Sequence, residues 1–316
     1  MTSKSSPAGD PLAVLVVLIA TVALSYKGIV AKLAYAAGLG VDALMLIRFT
    51  VAVPLFWLVA WLLARGGPLR LTGRQWMQSA VTGFAFFLAS YCDFKAISLI
   101  PATLSRLILF TYPVFVILLN AVAARRAPSL RESVTCLVTY GGVCLAVLSK
   151  GFALPTGTAL VGMIWALGSA VTYATYLTVS QKAMKDIGSA RFTSASNTVT
   201  LALMAVYAGV HTGYADLDLS PSGVVWAAVI GVGCTVLPFL LLFEGIRRCG
   251  AVNAALLTLS GPVITAVSAW AILGESLRPV QMAGFAVSLA GVASLTVSPE
   301  VVARLRGLLG RRVPTA

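Results

Sequence analysis

The sequence predicts an all-α polytopic membrane protein in which ten transmembrane helices form two inverted five-helix repeats, residues 1–150 and 151–316. Three observations lead there. Of the 316 residues, 59% are hydrophobic and only 10% charged, whereas a soluble domain carries about 25% charged residues, so most of the surface must face lipid. Gly, Pro and charge then divide the chain into ten apolar segments, and the second half repeats the first.

A membrane helix needs about 20 mainly apolar residues. Segments of that kind run over approximately 12–35, 42–64, 75–99, 101–124, 132–149, 157–181, 189–210, 222–246, 250–273 and 279–298, with connections too short for an extramembrane domain. The first continues past the length of a signal-peptide core, so it is expected to be retained. The charges test the count, because Lys and Arg in short loops mark the cytoplasmic side. With ten spans, one side collects Lys4, Arg65, Arg70, Arg74, Arg125, Arg126, Arg131, Lys182, Lys185, Arg191, Arg247, Arg248, Arg304, Arg306, Arg311 and Arg312, and the other only Lys150 and Arg278. Sixteen against two would collapse toward parity if a central helix had been invented or missed. An inner-membrane protein with both termini cytoplasmic is expected. The net charge of +13 is thus mainly a topology signal, and without a folded soluble face no nucleic-acid partner is expected.

Displacing the chain by 149 residues aligns Phe94–Lys150 with Phe243–Pro299 without a gap, placing Pro113-Val114 on Pro262-Val263, Ala102 on Ala251, Leu107 on Leu256 and Gly142-Val143 on Gly291-Val292. Only ten of 57 positions are identical, but helix boundaries coincide as well. Five helices is an odd number, so the second unit enters the membrane with opposite orientation, a recurrent plan of secondary transporters. Ala102–Leu119 and Gly250–Glu275 resemble the fourth and ninth helices of EamA-type members of the drug/metabolite transporter superfamily. Arg48 matches an Arg of that family's second helix, and Gly141-Gly142-Val143 and Gly291-Val292 match its fifth and tenth. One departure is visible: the Gly-Glu that usually ends the family's fourth helix reads Arg125-Arg126 here. The resemblance implies ten helices in two inverted repeats and export of small metabolites, amino acids included, across the bilayer.

Charges within spans face cavities and are functional hypotheses by default. At about 1.5 Å per residue, helix one places Lys27 about 12 Å below the external surface, helix two places Arg48 about 9 Å below it, and Asp93 and Arg106, flanking the turn at Pro101, lie about 9 and 8 Å deep. Lys32 and Lys95 are near enough to the surface to snorkel. The remaining excess of cations suits a carboxylate, which Arg can clamp with two parallel hydrogen bonds. Arg48 or Arg106 is therefore expected to contact a substrate carboxylate or to close an external gate by pairing with Asp93. A purely structural Asp93–Arg106 bridge between helices three and four is the competing reading. Tyr91 and Tyr112 are further candidate lining residues in helices three and four.

Helix six carries a polar stripe, Trp165, Ser169, Thr172, Tyr173, Tyr176 and Ser180, at spacings of three and four. Trp165, Tyr173 and Tyr176 are candidates to line a cavity for an amphiphilic ligand, against a plain role for the stripe in helix–helix bonding. Asn197 of helix seven is a weaker one. Helix nine adds Asn253 and Thr258, and its Pro262 breaks the helix where Pro113 breaks helix four, a paired interruption that points to a binding and gating region. The small-residue face of helix ten, Gly284, Ser288 and Gly291, serves close helix contact, within the protein or in a homodimer.

Five scattered cysteines and one histidine, His211, give neither a metal site nor a disulfide framework, and no cofactor is called for. Without an HExxH motif or an acid pair at a shared depth, no intramembrane hydrolysis is expected. The expectation is a secondary transporter moving small metabolites, amino acids or related amphiphilic carboxylates, by alternating access around a midplane cavity. The alternative is a flippase for a lipid or a lipid-linked sugar phosphate.

Overall fold

A computed structural model describes residues 11–65, 69–147, 157–249, 254, 257–258, 260–276 and 278–296. Among them every regular element is a helix. In chain order these are α1 (Pro11–Ala36), α2 (Val41–Leu63), α3 (Gly73–Leu99), α4 (Ala102–Leu109), α5 (Tyr112–Ala123), α6 (Leu130–Val147), α7 (Gly157–Ile187), α8 (Ser189–His211), α9 (Pro221–Gly231), α10 (Leu237–Cys249), α11 (Gly261–Leu273) and α12 (Pro279–Thr296). A single π-helical turn, Val232–Val236, joins α9 to α10 without interruption.

Six stretches of the described chain are long and apolar enough to cross a bilayer: Pro11–Ala36, Val41–Leu63, Gly73–Leu99, Ala102–Ala123, Gly157–Gln181 and Pro221–Ile246. Shorter apolar stretches lie at Glu132–Val147, Gly261–Leu273 and Pro279–Gly291. The surface is that of a lipid-facing bundle, with Leu62, Val122, Leu137 and Val210 pointing outward from four different helices. α8 is long but carries Ser, Thr and Asn along one face. Several of those groups bond within the helix or to α3: Ser194 donates to Ala190 O, Asn197 Nδ2 to Thr193 O and Thr200 to both Ser196 O and Gly83 O.

The packing has the pattern of two units exchanged by a two-fold. α3 packs along α7 as α1 packs along α9–α10, and α5 meets α7 as α11 meets α1. α2 against α8, and α6 against α12, map onto themselves. The last pair shows it at atomic scale. A Cβ on Gly142 would collide with backbone of Gly284 and Ser288, and one on Gly291 with Thr139. Under the 149-residue displacement, Gly142 becomes Gly291 and Thr139 becomes Ser288, so the two collisions are one contact seen twice. The small-residue face of α12 is thereby used inside the chain, against α6.

The sequence places one helix over 101–124, but the chain breaks into α4 and α5 at Phe110–Thr111. Thr111 Oγ1 donates to Ile108 O at 2.7 Å, and Pro113 stands in the first turn of α5. In the other repeat Ser260 Oγ donates to Leu257 O at 2.7 Å, and Pro262 stands in the first turn of α11. Proline cannot donate to the carbonyl four residues back, and the hydroxyl two residues ahead of it folds onto the preceding turn instead.

Candidate functional site

Four charged side chains converge from α1 to α4, all within about three turns of the α1–α2 and α3–α4 connections. Asp93 is 3% exposed, Arg48 4% and Arg106 8%, so this is charge inside the bundle, not at its rim. Lys27 Nζ lies 2.5 Å from Asp93 Oδ2. Arg48 Nε donates to Thr235 Oγ1 at 3.0 Å, and its guanidinium lies over the rings of Phe49 and Phe94 at 4.7 and 5.0 Å. The quadrupole of an aromatic face attracts a cation, and a desolvated one most strongly. Arg106 Nη2 is buried and has no hydrogen-bond partner among the described residues.

The expected Asp93–Arg106 pair is therefore not the one that forms: Asp93 pairs with Lys27. Depth did not separate the two cations, since Lys27 and Arg106 lie within about 4 Å of one another along the bundle axis. Rotation decided it. α1 turns Lys27 onto α3 beside Phe94, 5.4 Å from its ring centroid, while Arg106 lines a neighbouring space.

That space is a cavity of about 250 Å³. Lys27, Arg48, Asp93 and Arg106 line one side, and three cations against one anion leave it with two excess positive charges. Phe86, Phe110, Tyr112, Tyr173 and Phe239 form an aromatic wall, with Tyr112 and Tyr173 edge to face at 5.1 Å. Ser169 also lines it while donating to Ala89 O. The second repeat contributes Cys234, Thr258 and Gly261 but no charge. Pro113 and Pro262 lie just beyond the cavity, and the residues four before them, Leu109 and Thr258, both line it.

Of the residues singled out in the sequence, Lys27, Arg48, Asp93, Arg106, Tyr173 and Thr258 meet at this cavity, and Tyr112 joins them. Tyr91, Trp165 and Tyr176 do not line it. Tyr91 accepts a hydrogen bond from Tyr207 at 3.0 Å and packs edge to face on Trp165, in a cluster among α3, α7 and α8. Tyr176 lies behind Tyr173, 4.8 Å from the Phe86 ring, as a second row to the wall. Asn197 is bonded within α8, and Asn253 lies outside the described residues.

Residues that pattern reading missed are mostly uncharged. Thr235 reaches Arg48 because the π turn adds a residue to α9–α10, and its own hydroxyl donates to Ile230 O five residues back. Such turns recur at functional sites, and no periodicity announces them. Ser25 of α1 donates to Gly261 O at 3.1 Å while its own carbonyl accepts from Thr265 Oγ1 at 3.1 Å, a two-way bond across the repeats. Thr21 and Ser25, four apart, were a legible polar stripe.

Comparison with known proteins bears on the whole chain. The EamA-like transporter family profile matches residues 11–148 and again 160–297. The uncharacterized transporter YcbK of Bacillus subtilis is 34% identical over 274 residues, 84% of this chain and 87% of that protein. The uncharacterized transporter sll1319 of Synechocystis is 25% identical over 81% of this chain and 80% of its own length. The threonine/homoserine exporter RhtA of Escherichia coli K12 is 26% identical over 76% and 78%. A crystal structure of another protein, 18% identical, superposes with a TM-score of 0.63 over 96% of this chain and 98% of its own, a likeness of fold.

Proposed function

Starting from the fact that the chain belongs to the EamA-like transporter family, and so is an integral membrane transporter and not an enzyme, we propose that it exports small amphiphilic carboxylates, amino acids foremost, by alternating access of the cavity between its two repeats. The observation that carries the reading is the charge of the cavity lining, where Lys27, Arg48 and Arg106 stand against Asp93 alone, with Arg106 Nη2 buried and unpartnered among the described residues. A buried, unpaired donor costs several kcal/mol unless a ligand satisfies it. A carboxylate does so with charge-assisted bonds, and the aromatic wall accepts the apolar body of the same molecule. The likeness to a threonine/homoserine exporter supports amino acids as cargo and export as direction. Ten helices in inverted repeats, residues 1–150 and 151–316, with both termini cytoplasmic in the inner membrane, complete the proposal; the charge partition and the two-fold packing support it.

Counterflow in proteoliposomes tests it. Threonine, homoserine and branched and aromatic amino acids are offered in turn, and saturable exchange of at least one is expected. Arg106→Gln, at normal abundance, should reduce that exchange by about 100-fold, the worth of one charged hydrogen-bonded contact of roughly 3 kcal/mol. Failure of every carboxylate-bearing solute to move, with fluorescent lipid flipping instead, would sink the proposal in favour of a flippase.

A further inference from the structure

Glu275 follows Gly274, the C-cap of α11, and reaches into the other repeat. Its Oε1 accepts from the Ala102 N–H at 2.7 Å and its Oε2 from the Thr103 N–H at 3.1 Å, the first two amides of α4. These amides have no acceptor within their own helix, and a carboxylate there also meets the positive end of the helix dipole. One side chain of the second repeat thus joins the start of α4 to the end of α11, and α4 carries Arg106 one turn further on.

The 149-residue displacement carries Arg125-Arg126 onto Gly274-Glu275, and Ala102-Thr103 onto Ala251-Val252. Arg125 and Gly274 each adopt left-handed backbone, with φ of +50° and +66°. Where one turn presents a carboxylate, the other presents a guanidinium. Arg126 is held inside its own loop, donating to both oxygens of Glu132 at 2.8 and 2.7 Å. A cation offers no acceptor to the N–H groups that open a helix, and the dipole there repels it.

We propose that Glu275 is a positioning residue of the transport cycle that latches the outer gate by capping α4, and that Arg126, at the displaced position, supplies no carboxylate for a matching latch. Of two states related by exchange of repeats, an interaction made in only one of them shifts the population toward that one. With one latch present and its counterpart replaced by a cation, the resting protein favours the state whose cavity opens to the inner face. This inference rests on the alternating-access reading above, but not on the identity of the cargo.

Cys234 lines the cavity and is a free thiol, so it serves as a native reporter. With the other four cysteines replaced by Ser, a membrane-impermeant methanethiosulfonate is added to intact cells and to inside-out vesicles, without substrate. Cys234 of the parent should react faster from the inner face. Glu275→Gln should raise its outer-face rate about tenfold, a shift of about 1.4 kcal/mol between the two states, and lower the inner-face rate. Glu275→Asp should fall between. Arg126→Glu, which supplies the missing carboxylate, should also raise the outer-face rate, whereas Arg126→Gln should leave both rates in place. Unchanged sided labelling in Glu275→Gln at normal abundance overturns the proposal, as does equal effect of Arg126→Gln and Arg126→Glu. Ser276→Cys reports which face carries Glu275, so reversed orientation is told apart from failure of the latch, and a wrong cargo alters neither rate.

Discussion

In the first repeat the chain breaks at Thr111, two residues before Pro113; in the second it breaks at Ser260, two residues before Pro262. Each hydroxyl donates to the carbonyl three residues back at 2.7 Å, and each following helix ends in a turn with left-handed backbone. The backbone of the two repeats is matched here, and the side chains are not. The first break lies one turn beyond buried Arg106, where the displaced position in the second repeat is Ala255. Every charge lining the cavity comes from the first repeat. A carrier that exchanges its halves constrains both backbones to two shared conformations, because each must serve in either role. It places no such demand on the chemistry that meets the cargo, which needs its charged end at one place only. Under the alternating-access proposal, the comparison separates the parts that would move from those that would bind.

The charged half should be the sensitive one. Asp93→Asn removes the one anion among Lys27, Arg48 and Arg106, and is expected to destabilise the protein by about 3–5 kcal/mol, the usual result of leaving buried charge uncompensated. Lys27→Met should cost less, because Asp93 keeps Arg106 and Arg48 as electrostatic neighbours. The double variant should recover part of the loss. A double-mutant cycle on unfolding in mixed micelles measures the coupling. Equal losses for the two single variants would show that the cluster is a plain Lys27–Asp93 pair, with the arginines too distant to matter.

Next in size is the pair of turns that end α5 and α11. Gly274 has open space where a Cβ would sit, so Gly274→Ala tests backbone conformation alone. At φ +66° it should cost about 1–2 kcal/mol. Arg125 already bears that penalty at φ +50°, and Arg125→Gly should stabilise by a similar amount. Thermal unfolding of both variants checks the sign. If the two move stability in the same direction, the turns are not equivalent.

Much of this was legible in advance, and the reason differs by element. Apolar runs, the displacement of 149 residues and the matched prolines reported the repeats because helix length and backbone breaks leave marks in residue type. Lys27, Arg48, Asp93 and Arg106 stood out because charge in lipid is rare. Their pairing did not, since sequence gives depth along a helix but not the rotation that turned Lys27, and not Arg106, onto Asp93. Phe86, Phe110 and Phe239 were invisible as lining residues, because a phenylalanine at a cavity and one in the core satisfy the same composition. Tyr91 and Trp165 show the converse: aromatic residues at helical spacing found each other instead of the cavity.

The smallest effect asks whether the two breaks are as equal as they look. Thr111→Val and Ser260→Ala each remove the hydroxyl that folds onto the preceding turn. The carbonyls they serve, Ile108 O and Leu257 O, still accept from the backbone N–H of residues 111 and 260, at 3.0 and 3.2 Å. Neither carbonyl is orphaned, so each substitution should cost about 1 kcal/mol or less. The measurement is the difference between the two losses on unfolding in the same micelles. Losses that agree within about 0.5 kcal/mol fit two copies of one hinge. A Thr111 loss larger by more than about 1 kcal/mol would mean that the fully buried hydroxyl at the first break also serves a partner outside its own turn, Tyr140 of α6, and the two breaks would not be copies of one hinge.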